Sequence, residues 1–178
     1  MNHSKSLSPQ EVLAARAREL ARVPESERPS QVSLELLEFR LAHERYAVEA
    51  RYVREVHPFK ELTPLPFTPP FLLGIVNLRG RILPVMDLKK FFDLPEGGLT
   101  DLHRIIVLQH ADVELGLLAD LSVGVHMLPV EDLQASLPTL TGVRAEYLKG
   151  VTRERLIVLD VTRILTDPKI LVQDELET

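Results

Sequence analysis

The sequence predicts a mainly β protein of two small five-stranded barrels, related by internal duplication and packed against each other. Short runs of alternating apolar and polar residues begin near residue 33, and turn residues separate them. The second half of the chain also resembles the first. A unit of five short strands and one helical turn is too small for a broad open sheet, and closure into a barrel removes its edges. A single β-sandwich is the alternative.

Matching segments at similar spacing define the repeat. Leu72-Leu73-Gly74 matches Leu148-Lys149-Gly150, and the six residues that begin at Asp87 match the six that begin at Asp160. The chain is therefore interpreted as two copies of one unit, with small insertions.

The alternation predicts five strands in each copy. In the first copy we expect strands over residues 34–41, 45–49, 53–56, 74–78 and 81–86, and in the second over 104–109, 113–118, 123–128, 148–152 and 156–159. Pro84 lies inside one of these strands and has no backbone donor, which predicts an edge strand or a bulge there. Asp87 and Asp160 are suited to cap short helices.

The clearest internal linker is the stretch 94–98, Leu-Pro-Glu-Gly-Gly. We expect a first barrel over residues 34–92 and a second over residues 101–165, each burying its own Val, Leu and Ile side chains. Pro168 begins a C-terminal helical tail. These parts together form the main domain, residues 31–178.

Residues 1–30 differ from this domain and predict a helical extension with a linker. Ser8 can cap a helix over residues 8–23, and Glu11 completes a capping box. Pro24 ends the helix.

The composition excludes several classes of protein. A chain that is 45% hydrophobic and 26% charged is typical of globular proteins. Its net charge of −5 and pI near 5.7 argue against a nucleic-acid binder. The absence of cysteine excludes disulfides, thiolate metal sites and a cysteine nucleophile. No apolar run approaches the ~18–20 residues of a membrane span, and no signal peptide is recognisable, so we expect a cytoplasmic protein without membrane insertion.

Motifs of known enzyme classes are not found. There is no Gly-rich phosphate loop and no nucleophile elbow, and no two of the six histidines lie three to five residues apart. Asp120 follows a strand, but aspartate is also an ordinary turn residue. We therefore expect no catalysis, no cofactor and no metal site.

One stretch carries a specific resemblance. Residues 74–88 have the sequence GIVNLRGRILPVMDL, which resembles the signature of the CheW-like family of chemotaxis coupling proteins. The resemblance extends from about Leu34 to Leu165. It includes the segments Tyr46-Ala47-Val48, Val53-Arg54-Glu55-Val56, Val113-Glu114-Leu115-Gly116-Leu117-Leu118 and Glu146-Tyr147-Leu148-Lys149-Gly150.

The resemblance implies a non-enzymatic scaffold built of two five-stranded barrels. CheW-like proteins bind the cytoplasmic tips of methyl-accepting chemoreceptors and the regulatory domain of the histidine kinase CheA. The receptor tip, a helical hairpin, lies in a groove between the barrels. CheA pairs with the ends of the barrels, and contacts with further CheW-like domains propagate into rings. The alternative is a double β-barrel that binds a ligand or nucleic acid and shares only the fold.

Carried over residue by residue, the receptor groove maps onto six positions: Val53, Glu55, Asn77, Arg79, Gly116 and Val125. Two residues depart from the family pattern and bear on partner specificity. Ser122 stands where the family often has an apolar residue, and Gly124 where it often has an acidic one.

Arg79 is the member of this set that local structure explains least. Asn77 and Gly80 suit a tight turn with a positive φ in one residue. Nothing in such a hairpin requires arginine, so we expect the Arg79 side chain to reach the groove. Glu55 is expected to orient its guanidinium when no partner is bound.

Overall fold

The computed structural model describes residues 32–135 and 143–171, with the backbone alone described for Val143. The described residues from Ser33 onward form one compact unit. The predicted helix over residues 8–23 and the last residues of the C-terminal tail lie outside the described residues. Pro168 begins a turn rather than a helix.

Ten strands and three short α-helices are present in the described part of the chain, besides two single-turn 3-10 helices, Ala50–Tyr52 and Val130–Asp132. The strands are β1 (Ser33–Leu41), β2 (Glu44–Glu49), β3 (Val53–Pro58), β4 (Leu72–Leu78), β5 (Arg81–Met86), β6 (Arg104–His110), β7 (Val113–Ala119), β8 (Leu121–Pro129), β9 (Leu148–Val151) and β10 (Leu156–Leu159). The helices are α1 (Leu88–Phe91), α2 (Val143–Glu146) and α3 (Val161–Thr166). Every predicted strand is confirmed, and so are the helix caps of Asp87 and Asp160, whose side chains accept from Lys89 N–H and Arg163 N–H.

The strands form two five-stranded sheets. The first has the order β8-β1-β2-β10-β9 and the second has the order β3-β6-β7-β5-β4. The expected division into residues 34–92 and 101–165 is therefore wrong for the strands, because each sheet takes strands from both halves of the chain. The β1–β2 hairpin lies between β8 and β10, and the β6–β7 hairpin lies between β3 and β5.

Each half of the chain thus places its first hairpin in a sheet with strands of the other half. This hairpin exchange is symmetric, so the internal duplication is still evident in the strand order. If β1 to β5 are matched in order with β6 to β10, the strand order of one sheet becomes that of the other. The turns correspond too: Ala42 and Ala111 have φ values of 53° and 50°, and Arg79 and Arg155 have φ values of 55° and 61°. Sequence matching finds the repeat but not the exchange, since the matched segments carry no sign of their partners.

The ladders do not close either sheet into a barrel. Each sheet instead has one isolated bridge to an end strand: Thr63 pairs with Ile75 of β4, and Gln134 pairs with Val151 of β9. The two five-stranded sheets are thus confirmed, while full closure is not shown.

Pro84 predicted an edge strand or a bulge, and the edge strand is wrong. A register shift does lie beside Pro84, between Leu72 and Gly74 of β4, which pair with Met86 and Val85. Strand β5 lies inside the second sheet, between β4 and β7. Its parallel pairing with β7 begins only at Val85, opposite Gly116. Proline is tolerated because it stands just before the residues that pair with β7.

Three apolar clusters stabilise the unit. The clusters are separate because several strands are buried on both faces. In β6, Ile105 and Val107 join a cluster within the second sheet, whereas Ile106 and Leu108 join the largest cluster, which takes residues from both sheets. A third cluster belongs to the first sheet. The expectation of a separate core for each unit therefore accounts for the two smaller clusters and misses the largest.

Asp120 ties the two sheets together where the chain passes from β7 to β8. Its carboxylate accepts the Ala42 N–H at 2.7 Å and forms an ion pair with the buried Lys89 ammonium of α1. His103 Nε2 lies 3.0 Å from the same carboxylate, but not in hydrogen-bonding geometry. The Asp120 N–H also donates to the Arg40 carbonyl. The interpretation of Asp120 as an ordinary turn residue did not include these contacts between the sheets.

We predict that Gly74→Ala destabilises the fold by about 3 kcal/mol. Gly74 has a φ of 144°, and a Cβ there would lie 2.2 Å from the Thr63 carbonyl oxygen. Urea unfolding measures the change. Gly97→Ala is the control, with an expected effect within about 0.5 kcal/mol, because nothing lies near its Cβ position. Equal effects of the two substitutions would contradict the steric argument.

We predict that Asp120→Ala lowers the free energy of unfolding by about 3–5 kcal/mol, because it leaves the buried Lys89 ammonium unpaired. The double variant Lys89→Met/Asp120→Asn removes that charge and keeps an acceptor for Ala42 N–H, so it should be more stable than the single variant. Chemical denaturation of both proteins measures their free energies of unfolding. If the single variant is the more stable of the two, the ion pair does not stabilise the passage of the chain from β7 to β8.

Candidate functional site: the Glu55–Arg79 cluster and the β8 stripe

Arg79 and Gly80 form the two-residue turn between β4 and β5. Both have a positive φ, 55° and 84°, where the sequence predicted only one such residue. Asn77 Oδ1 accepts the Gly80 N–H at 2.8 Å and fixes the turn. Turns of this type favour Asn or Gly at the first central position, because other residues are strained there. The geometry of the turn therefore gives no reason for an arginine.

The Arg79 side chain extends into solvent. It is 80% exposed, and its Nη1 lies 3.7 Å from Glu55 Oε2 on β3. The structure therefore brings Glu55 and Arg79 together, as expected. Contact at this distance holds an exposed guanidinium only loosely, which leaves its donors available to a partner.

Glu55 is the centre of a larger ionic cluster. Its Oε2 is 2.8 Å from His57 Nε2, and its Oε1 pairs with Arg81. Arg81 also contacts Glu114 of β7 at 2.8 Å. The hydrogen bond with His57 is the largest of the interactions that hold the pKa of Glu55 below its ordinary value, and the charge of His57 and then the hydrogen bond with Arg81 follow. Glu55 is therefore ionised at neutral pH, and its negative charge attracts Arg79 and Arg81.

The Glu55–Arg81 contact also shows that the second sheet is strongly curved. Strands β6 and β7 lie between β3 and β5. Three strand spacings measure about 14 Å across a flat sheet. Side chains on β3 and β5 can pair directly only if the sheet curls them toward each other. The curvature thus presents residues of distant strands as one surface.

Two of the predicted groove residues do not belong to this surface. Val53 is half-buried and packs against the largest apolar cluster. Gly116 is buried, and a Cβ there would lie 2.9 Å from Ile105 and 3.2 Å from Leu83 and Val85. Gly116 is thus surrounded by packed side chains and does not form part of the exposed surface.

Val125 lies on the other sheet, in the end strand β8, opposite Leu37. It belongs to an exposed apolar row, the β8 stripe, which consists of Leu121, Val123, Val125 and Met127. Val125 and Met127 pair with Leu37 and Glu35 and share one face of the strand. Leu121 pairs with Arg40 beyond the register shift, so it lies on the opposite face. Sequence reasoning selected only Val125, because alternation in a β protein usually marks a face that is buried.

The first sheet explains why Gly124 stands where the family often has an acidic residue. Gly124 pairs with Glu38 of β1, where the ladder has a register shift. The Glu38 side chain is buried and accepts hydrogen bonds from Arg45 at 2.6 and 2.9 Å. An acidic residue at position 124 would add a second carboxylate opposite Glu38, and glycine avoids that repulsion. Ser122 is half-buried on the same strand.

Within residues 32–135 and 143–171, no group of three or more His, Asp or Glu side chains could hold a metal ion. No helix of this part is long and apolar enough to cross a membrane.

The comparisons with known proteins identify the family. The model of the CheW-like domain matches residues 35–169. The chain belongs to the CheW-like family. The chemotaxis protein CheW of Treponema pallidum is 32% identical over 143 residues, covering 76% of this chain and 84% of its own length. The protein FrzA of Myxococcus xanthus is 33% identical over 165 residues, covering 89% and 94%.

A solved structure agrees with this assignment. The scaffolding protein TtCheW of Thermoanaerobacter tengcongensis has a TM-score of 0.65 and 30% sequence identity, with 72% of this chain and 89% of that chain covered. The CheW-like fold predicted from residues 74–88 is thereby confirmed at the level of two five-stranded sheets.

We predict that the pKa of Glu55 rises toward its ordinary value of 4.5 in His57→Phe, because the largest stabilising contact of the carboxylate is lost. A lowered folded pKa stabilises the protein above the unfolded value, and this contribution is lost as the pH falls through the folded pKa. Carboxyl ¹³C titration by NMR measures the midpoint. If the midpoint stays unchanged in His57→Phe, His57 does not set the charge of Glu55.

Proposed function

We propose that this CheW-like protein is a non-enzymatic cytoplasmic adaptor of a chemotaxis-type signalling array. It couples the tips of chemoreceptors to the regulatory domain of the histidine kinase CheA, and it contacts further CheW-like domains. Membership of the family supports this, as do the names of its relatives, a chemotaxis protein in Treponema pallidum and a scaffolding protein in Thermoanaerobacter tengcongensis.

The observation that carries the proposal is the presentation of Arg79. An arginine in a left-handed turn position, largely exposed and faced by the Glu55 carboxylate, is unfavourable for the turn itself. It is well suited to bind carboxylate or carbonyl groups, because guanidinium offers a planar set of donors. A helical receptor tip displays such groups along its surface.

The β8 stripe supplies the apolar part of the proposed receptor surface. A nine-residue end strand with four exposed apolar side chains is unfavourable in a protein without partners, since such strands promote aggregation. Glu55, Asn77, Arg79 and Val125 remain in the proposed contact set. Val53 supports the surface from the core.

The structure offers little to the alternative of a ligand-binding double barrel. A cavity of about 420 Å³ lies open at the surface between the β2–β3 connection and the β6–β7 turn. Its arginines, Arg51 and Arg54, are already ion-paired with Glu49 and Glu114. A ligand would have to compete with these carboxylates for the cations.

We predict that Arg79→Glu reduces receptor-dependent control of the kinase by about tenfold or more, because it replaces the donors with a repelling charge. CheA affinity and melting temperature should stay close to the wild-type values, since Arg79 is exposed and paired only at long distance. Kinase assays with reconstituted receptors, calorimetry and thermal unfolding measure the three quantities.

Arg79→Asn is the matched variant, because asparagine tolerates the left-handed turn and lacks the guanidinium. It should lose receptor coupling while its melting temperature is unchanged or higher. If coupling persists in both variants, or if coupling, CheA affinity and stability all fall together, Arg79 is architectural and the proposed receptor surface is wrong.

A further inference from the structure

The connection between β3 and β4 exposes an aromatic side chain that the proposed receptor surface does not use. Phe67 is fully exposed and has a φ of 62°, in the left-handed region. Both properties are unfavourable for phenylalanine, which loses apolar burial and is strained in that backbone conformation. Glycine or asparagine would suit the position better, so the fold itself does not explain the aromatic ring.

The loop that carries Phe67 is fixed at several points. Thr63 and Ile75 exchange two backbone hydrogen bonds, at 2.9 and 2.8 Å. The Thr68 hydroxyl donates to the Leu65 carbonyl at 3.0 Å, next to Phe67 itself. Prolines at positions 64, 66, 69 and 70 restrict the backbone further. The exposed ring is thus held on a restrained support, which reduces the entropy lost on binding.

The C-terminal end of the loop, at Phe71, packs against helix α1. The Phe71 ring contacts Phe91 of α1 edge-on, with centroids 4.9 Å apart, and Phe91 contacts Tyr147 at 5.2 Å. The Phe71 carbonyl accepts the Asp87 N–H at 2.8 Å. The loop is therefore anchored in the largest core while Phe67 projects into solvent.

The chemistry of this loop differs from that of the Arg79 site. No charged residue occurs from residue 62 to residue 78, and Leu65 is exposed beside Phe67. Such a surface fits an uncharged apolar cleft on a protein. A membrane-inserting loop would usually carry flanking basic residues, whereas here Lys60 and Glu61 cancel, and the whole chain is acidic.

The Phe67 loop and the Arg79 turn lie at opposite ends of β4. The loop enters β4 at Leu72 and the turn leaves it after Leu78, so about 20 Å of strand separates them. Two partners can therefore occupy the two places at once, as an adaptor requires.

We propose that the Phe67 loop is a second docking surface, whose ring inserts into an uncharged apolar cleft of the kinase's regulatory domain. For the identity of this partner, the inference rests on the proposed function. Aromatic side chains, phenylalanine among them, are enriched at the centres of protein interfaces relative to the rest of the surface. The charged Glu55–Arg79 cluster is left for the receptor.

The test compares the wild-type chain with Phe67→Gly in calorimetric titrations with purified CheA regulatory domain. Glycine adopts a φ of 62° without strain, so the melting temperature should stay equal or rise. Affinity for the regulatory domain should fall by about tenfold or more, because the ring is lost. Binding of a receptor-tip fragment should remain within about twofold.

Ile82→Ala is the matched control, since Ile82 is also an exposed apolar residue of the second sheet. It should leave the affinity for the regulatory domain unchanged. Equal binding by wild type and Phe67→Gly overturns this inference and leaves the proposed function intact. Failure of the wild-type chain to bind the regulatory domain overturns both.

Two further measurements address other occupants of the loop. Cosedimentation with vesicles of phosphatidylcholine and phosphatidylglycerol that depends on Phe67, with kinase binding unaffected, would assign the loop to a membrane surface. A dimer in sedimentation velocity that Phe67→Gly converts to monomer, again with kinase binding unaffected, would assign it to a second copy of the chain. Either result overturns the assignment to the kinase.

Discussion

The carboxylate of Asp120 is the contact on which the arrangement of the two sheets depends. At this residue the chain leaves the second sheet through β7 and enters the first through β8. The same carboxylate reaches the β1–β2 turn at Ala42 and the buried ammonium of Lys89. A buried lysine is tolerated only when its charge is compensated, so the position of α1 against the crossing is fixed by electrostatics as well as by packing. The largest apolar cluster then fills the space that this contact defines.

The candidate surface depends on a different balance of charge. Glu55 is shared by His57, Arg79 and Arg81, and it holds Arg81 more closely than Arg79. Arg81 therefore neutralises the carboxylate within the sheet, and Arg79 remains the more exposed cation. Such an arrangement keeps a binding group oriented without desolvating it. The strain of the left-handed turn is offset by the packing and hydrogen bonding of β4 and β5 around it.

Much of this fold could be predicted from local patterns, and the remainder could not, for physical reasons. Strand positions follow from alternation, and the caps of α1 and α3 follow from Asp87 and Asp160. The assignment of strands to sheets depends on pairing between residues such as Leu37 and Val125, about which local alternation says nothing. Gly116 shows the same limit at the site. A glycine in a family-like segment is equally compatible with a contact surface and with a packed core, and only its three-dimensional neighbours distinguish the two.

The exchange of hairpins between the repeats also determines the order in which the sheets can form during synthesis. The second sheet consists of β3 to β7 and is complete once residue 119 has left the ribosome. The β1–β2 hairpin is made first, yet it lies between β8 and β10, which are made last. At about 5–20 residues per second, on the order of 10 s separates the hairpin from its second neighbour. During that interval its apolar side chains, among them Leu36 and Phe39, have no sheet to enter. The earliest segment of the domain is thus among the last to gain both of its neighbouring strands, so its apolar side chains stay exposed longest during synthesis.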